Sequence, residues 1–337
     1  MNMNANLHAA IALVAAAALA ACTAPAGGRW PREGVVSPAV ANPPAPVVPA
    51  EFLQLTMSTE RTQYLVGEPV YVALDLENSG GQTERVVGSL DPIDGAVDVL
   101  ISAPDERTQV FGPLVEADND EGILVELASG ARIGDVVPIF FGARGWTFAS
   151  PGRYVLTAVY QTPDRDGRFL EATSPPVTIE IQPSSVGENL IRSDERTVGE
   201  VGKFLTWRSG DHLEQGQARL REVLQQSPAS PHASYIHAAF AHSFSEPFMD
   251  YRRGEVRPAN CELAMRELAQ VDSTRLPTYL RLQNAMVGAR CALAAEDWDA
   301  AQRYLDQAEE IAAGRPEYRR LAARIAELET YLNEAAR

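Results

Sequence analysis

The hydrophobic period of this chain changes once, and that change limits the fold more than any motif does. Before Pro183-Ser184-Ser185 apolar residues recur at every second position, and after it they recur about every 3.6 residues to the end. Val70, Val72, Leu74 and Leu76 alternate with other residues until Ser79-Gly80-Gly81, as a half-buried strand running into a turn should. Similar patterns predict strands over residues 84–90, 96–102, 123–127, 136–141, 153–161 and 176–181. The Pro163-Asp164-Arg165-Asp166-Gly167 cluster predicts a hairpin turn between the last two. Short strands without a helical pattern argue for a β-sandwich over residues 51–183.

Beyond residue 190 the spacing predicts helices over residues 195–207, 212–226, 232–244, 259–271, 278–294, 297–312 and 317–335. Trp298, Ala301, Leu305, Ala308 and Ala312 fall on one helical stripe, as do Tyr318, Leu321, Ile325, Leu328 and Leu332. Connections this short make consecutive helices antiparallel neighbours. The expected fold is therefore two-domain, all-β plus all-α.

Residues 1–50 follow other rules. Ala9 to Ala21 form an apolar run too short for a spanning helix, which needs about 20 residues. Residues 22–50 hold seven prolines among Ala, Val and Gly, a composition that favours an extended tether. The run ends in Leu19-Ala20-Ala21-Cys22, which resembles a bacterial lipobox. That resemblance implies a signal peptide over residues 1–21, acylation of Cys22 and a lipid anchor in the cell envelope. Thr23, where an Asp would favour the inner membrane, points to the outer membrane. More than one acyl chain is needed for stable anchoring, and a triacylated cysteine supplies them.

Two further resemblances bear on the fold. Pro151-Gly152-Arg153-Tyr154-Val155-Leu156-Thr157-Ala158-Val159-Tyr160 resembles a strand common in bacterial immunoglobulin-like domains, including those of the BsuPI proteinase-inhibitor type. By that likeness Tyr154 is a corner tyrosine whose hydroxyl bonds nearby backbone. Gly288-Ala289 followed by Asp297-Trp298, Ala301, Leu305 and Ala308 resembles a tetratricopeptide repeat. The combined expectation is an Ig-like sandwich over residues 51–183 followed by TPR-like hairpins over 190–337.

Charge narrows the function. The formal net charge is −16; residues 51–183 hold 21 acidic against 8 basic side chains, and residues 184–337 hold 23 against 19. Nucleic acid is not expected as a partner, because phosphate neutralisation needs clustered cations and Lys203 is the only lysine in the sequence. The run Glu116 to Gly122 is rich in oxygen ligands but places its glycine wrongly for an EF-hand, so a solvated loop is expected. Turn chemistry accounts for Asp164 and Asp166. His232, His237 and His242 recur every five residues, which rotates each by about 140° from the last on a helix and keeps them from sharing a metal.

Gly-x-Ser-x-Gly, His-Glu-x-x-His, P-loop and Cys-x-x-Cys patterns do not occur in the sequence. Neither catalytic residues nor a metal or other cofactor is expected. Cys261 and Cys291 lie near the open ends of consecutive antiparallel helices and either bridge in an oxidising compartment or remain buried thiols. Stacked hairpins leave a concave face suited to an extended peptide or partner helix, with Tyr279, Arg281, Asn284 and Arg290 as candidate groove residues. The expected function is a non-catalytic interaction module for an envelope protein or peptide. The alternative is an envelope enzyme or proteinase inhibitor with a dispersed site.

Overall fold

A computed structural model describes residues 47–115, 123–164, 166, 168–251 and 253–335. The lipobox and the acidic run 116–122 lie outside the described residues.

The strands are β1 (Val47–Pro49), β2 (Leu53–Ser58), β3 (Gln63–Leu65), β4 (Tyr71–Asn78), β5 (Glu84–Val87), β6 (Val97–Ser102) and β7 (Thr108–Val110). They continue with β8 (Leu124–Leu127), β9 (Arg132–Pro138), β10 (Phe141–Gly142), β11 (Gly145–Trp146), β12 (Gly152–Pro163), β13 (Phe169–Thr173) and β14 (Val177–Gln182). The larger sheet is mixed and runs β1-β13-β12-β14-β3, with β6 on the other edge of β12 and β7 beyond it. Both outer pairs of that path, β1 with β13 and β3 with β14, are parallel. Facing it, β2, β4 and β9 form an antiparallel sheet, and β5 pairs separately with β8.

The expected hairpin is rearranged. The turn after β12 leads into β13, because β12 is long enough for Gly152–Leu156 to pair with β14 while Val159–Pro163 pairs with β13. Within that turn Asp164 accepts from the Asp166 and Arg168 amides, each at 2.8 Å. Tyr154 donates its hydroxyl to the Ser150 carbonyl at 2.9 Å. Part of the stretch read as a tether is also ordered: Val47–Pro49 is an edge strand, a place where proline forfeits no ladder donor.

The helices are α1 (Ser185–Ile191), α2 (Glu195–Trp207), α3 (Glu214–Gln226), α4 (Pro231–Ser245), α5 (Cys261–Leu268), α6 (Thr278–Ala294), α7 (Trp298–Ala312) and α8 (Arg319–Ala335). Side chains cap most of their starts; Asp194, Asn260 and Asp297 accept from amides three residues on, at 3.0 Å each. Between α4 and α5 the irregular stretch holds a small hairpin, β15 (Phe248–Asp250) with β16 (Glu255–Arg257).

The expectation of an all-β domain followed by a separate all-α domain is overturned. Residues 45–337 cluster as one compact unit, and its strands and helices share a continuous core. Leu74, Val99, Leu156 and Ile179 of the sheets belong to the same buried cluster as Val201, Phe204, Leu220, Ile236 and Phe240 of the helices. The fold is mixed α/β, with helices layered on a sandwich. Two close approaches fix that layer. A Cβ on Gly202 would overlap the Phe141 ring, and one on Gly187 would overlap the Val66 carbonyl. The period change at residue 183 marks where strands give way to helices, and apolar faces on its two sides pack on each other.

A second core lies farther from the sheets, where Leu282, Ala289, Ala301, Leu305, Ala308, Leu321 and Ile325 pack α6, α7 and α8 together. Cys261 and Cys291 are bonded across α5 and α6, with Cα atoms 5.1 Å apart.

Candidate functional site

Helix α2 lines a broad concavity. Its first turn is capped by Asp194, and it stops at Trp207 because Arg208 adopts a left-handed backbone with φ of 53°. Glu200, on its buried side, accepts from the Gln215 and Gly216 amides at 2.8 and 3.0 Å. Those bonds cap α3, whose own N-cap Leu213 offers no side-chain acceptor. Burial works to raise the Glu200 carboxyl, but the Gly216 amide and Arg196 outweigh it and hold it below the usual carboxylate range. Glu200 is thus committed to structure.

Between the outer face of α2 and the β10–β11 turn runs a groove of about 1340 Å³. Leu114, Phe141, Ile191, Val198 and Trp207 give it apolar surface, and Trp207 is 39% exposed. Arg144 and Lys203 line it without a carboxylate partner among the described residues. Arg196 is neutralised by Glu200 at 3.0 Å. Among the described lining residues Ser193 contacts Asp194 at 3.3 Å, and His212 lines the same groove with its ring stacked 5.8 Å from that of Phe248. The groove thus presents an exposed aromatic, two cations without a carboxylate partner among the described residues, and the carboxylates of Asp194 and Glu195.

The sequence-based groove residues lie elsewhere and do not form one exposed face. Tyr279, Gln283, Met286 and Arg290 share one side of α6 by their spacing, while Asn284 is turned away from it. Tyr279 packs its ring 5.2 Å from that of Tyr71 and lies under the Arg208 guanidinium, whose Cζ is 5.4 Å from the ring centre. Arg281 is exposed and donates to the Thr278 hydroxyl at 2.8 Å. Asn284 is buried, with its Nδ2 unpartnered among the described residues. Arg290 is mostly buried; it pairs with Glu246 and donates to the Ser245 hydroxyl at 3.1 Å.

The three histidines take separate partners. His232 Nε2 lies 2.9 Å from the Val66 carbonyl, His237 Nδ1 lies 2.6 Å from Glu267, and His242 is buried near Arg208 and Arg290. Burial holds His232 and, far more strongly, His242 below the usual imidazole range. A further buried carboxylate, Glu68, accepts from Arg61 at 2.6 Å, the Tyr235 hydroxyl at 2.8 Å and the Leu65 amide at 2.8 Å, tying α4 to the sheets.

Sequence reading missed the open groove because five separate segments contribute to it. One signal was available: the only lysine of the chain stands four residues before a tryptophan at a helix end, so both occupy one face.

No family model matches the chain, and no curated protein matches it. Among solved structures, the ApaA protein of Bordetella pertussis is similar at 15% identity, covering 40% of this chain and 98% of its own, with a TM-score of 0.25. A CARDB domain from Pyrococcus furiosus, solved with di-metal ions, is 13% identical over 40% of this chain and 93% of its own, with a TM-score of 0.23. A sporulation control protein of Bacillus subtilis is 11% identical over 42% and 54%, also with a TM-score of 0.23. Likeness at this level carries no argument about activity.

Proposed function

We propose that this chain is a lipid-anchored envelope protein, held to the outer membrane through Cys22, whose body is a non-catalytic docking module for another envelope protein. The observation that carries the docking half is the α2 groove, where Lys203 and Arg144 have no carboxylate partner among the described residues and share the lining with the exposed Trp207. An extended acidic segment bearing one large apolar side chain complements that surface: the apolar group covers Trp207 and the carboxylates meet the two cations. The anchoring half is supported by the Leu19-Ala20-Ala21-Cys22 motif after an apolar run.

The test places a photo-crosslinker at Trp207 in native cells and identifies the attached peptide. An acidic segment of one envelope protein, lost when Lys203 and Arg144 are both replaced by Glu in a protein that keeps its circular dichroism, is the expected result. A crosslink indifferent to those charges, or none, would return the reading to an enzyme or inhibitor with a dispersed site. Mass spectrometry of the mature amino terminus tests the anchor separately: acyl chains on Cys22 are expected, and Cys22→Ser removes them.

A further inference from the structure

Where the C-terminal ends of α2 and α4 approach α6, the molecule gathers cations without matching carboxylates. Arg208 lies over the Tyr279 ring and makes only a 3.4 Å contact with its hydroxyl; its Nη1 is shielded from solvent and has no acceptor among the described residues. Arg290 Nε is shielded and unpartnered in the same way. His242, 9% exposed, leaves Nδ1 without a partner. Arg324 on α8, half exposed, reaches Glu246 at 3.9 Å, so one carboxylate is shared between Arg290 and Arg324 while Arg208 has none among the described residues.

These groups belong to one locality. Ser245, one turn after His242 on α4, is 3.1 Å from Arg290. Tyr279, under Arg208, lies on the same side of α6 as Arg290 but about three turns before it. The His242 ring hydrogen-bonds the Arg208 backbone, and the fields of Arg208, Arg290 and Arg324 all reach it.

Buried guanidinium groups are retained where an anion meets them, because an uncompensated buried charge is costly. Orphaned guanidinium donors on two residues, set among three like charges, ask for an acceptor with several oxygens. The carbonyl ends of α2 and α4 soften the repulsion, yet the two guanidinium donor atoms stay unpartnered beside them among the described residues. We infer that Arg208, His242, Arg290 and Arg324 form a binding site for a single oxyanion group of phosphate or sulfate size, entered past the exposed Arg324 and Glu246.

Titrating inorganic phosphate into the purified full-length protein, against sodium chloride at matched ionic strength, tests the site. A saturable one-to-one calorimetric isotherm is expected, with the ¹⁵N resonances of His242 moving while those of His237 hold still. Arg208→Met and Arg290→Met should each weaken binding about tenfold or more, and Arg208→Lys less. Glycerol 3-phosphate forms the second arm: equal binding identifies the terminal group of a larger ligand, and binding of phosphate alone identifies the free ion. The inference is overturned if phosphate gives no saturable heat and leaves His242 unmoved in the wild-type chain, or if chloride does the same. The wild-type resonances decide the matter even if a substitution at Arg208 prevents folding.

Discussion

Two sets of helices with the same kind of sequence are attached to the sandwich in different ways. The inner set, α2 to α4, packs into the sheets: Phe204 and Phe240, with ring centres 5.0 Å apart, sit in one cluster with Leu156 and Ile179. The outer set, α6 to α8, buries most of its stripe within itself and meets the sheets at Val136 and Tyr71 and through several polar contacts. Glu60 bonds the start of α6, Arg319 donates to the Gly88 carbonyl at 2.9 Å, and Arg320 pairs with Asp135 at 3.1 Å. Helix α6 is the shared wall, with Leu280 in the inner core and Leu282 in the outer. Amphipathic spacing states that a helix has a buried face; it does not state what that face meets.

The largest expected effect breaks the inner attachment. Phe204 is fully buried, and Phe204→Ala should cost about 3–5 kcal/mol through lost transfer energy and the cavity left behind. Because the core is shared, helical circular dichroism and tryptophan fluorescence should be lost in one coincident denaturant transition. Helical signal lost in a separate, earlier step would restore two independent domains.

Next comes the Cys261–Cys291 bond, which closes a 30-residue separation at the border between the two sets. Replacing both with Ala should lower stability by about 3 kcal/mol, chiefly by freeing the unfolded chain. Thiol counting on the denatured, unreduced protein should find neither cysteine free.

Acid should act on the inner set first. His232 and His242 are both held below the ordinary imidazole range by burial, so the unfolded chain takes up protons that the folded chain refuses. Their neutral forms support the fold fully above about pH 6.5, and that support declines as pH falls from there toward the lower folded values. Each contributes a slope on the order of 1 kcal/mol per pH unit in that window. Calorimetric melting from pH 8 to 5 checks it, and His242→Gln should flatten the acid limb.

What could be read from the sequence follows from what each pattern physically encodes. Alternation over Val70, Val72, Leu74 and Leu76 located β4, and the stripe from Trp298 to Ala312 located α7, because both signals are local. Strand β1 was hidden by proline-rich composition, and the β15–β16 hairpin by strands of only three residues. The shared core was not legible, since it joins Leu156 to Phe204 across the period change. Tyr279 and Arg290 stood out on a helix of small residues, but their neighbours Arg208 and His242 come from two other helices. The open groove draws on residues from Leu114 to Leu213, a pairing that no local spacing records.

The smallest expected effect sharpens the outer attachment. Helix α6 begins after Pro277, which has no side-chain acceptor to offer, so its first amides depend on another part of the molecule. Glu60, in the β2–β3 loop, supplies it: its two oxygens each lie 2.8 Å from the Thr278 amide, and one also accepts from the Thr278 hydroxyl at 3.1 Å. A carboxylate there also suits the positive end of the helix dipole. Glu60→Ala should therefore cost about 1 kcal/mol, the usual cost of losing an N-cap. The loss should be local, because the outer core remains packed within itself: amide exchange should quicken through the first turns of α6 while β4 and β12 keep their protection. Equal quickening in the sheets would show that the outer helices are coupled to the sandwich as tightly as the inner ones, and the contrast between the two sets would fall.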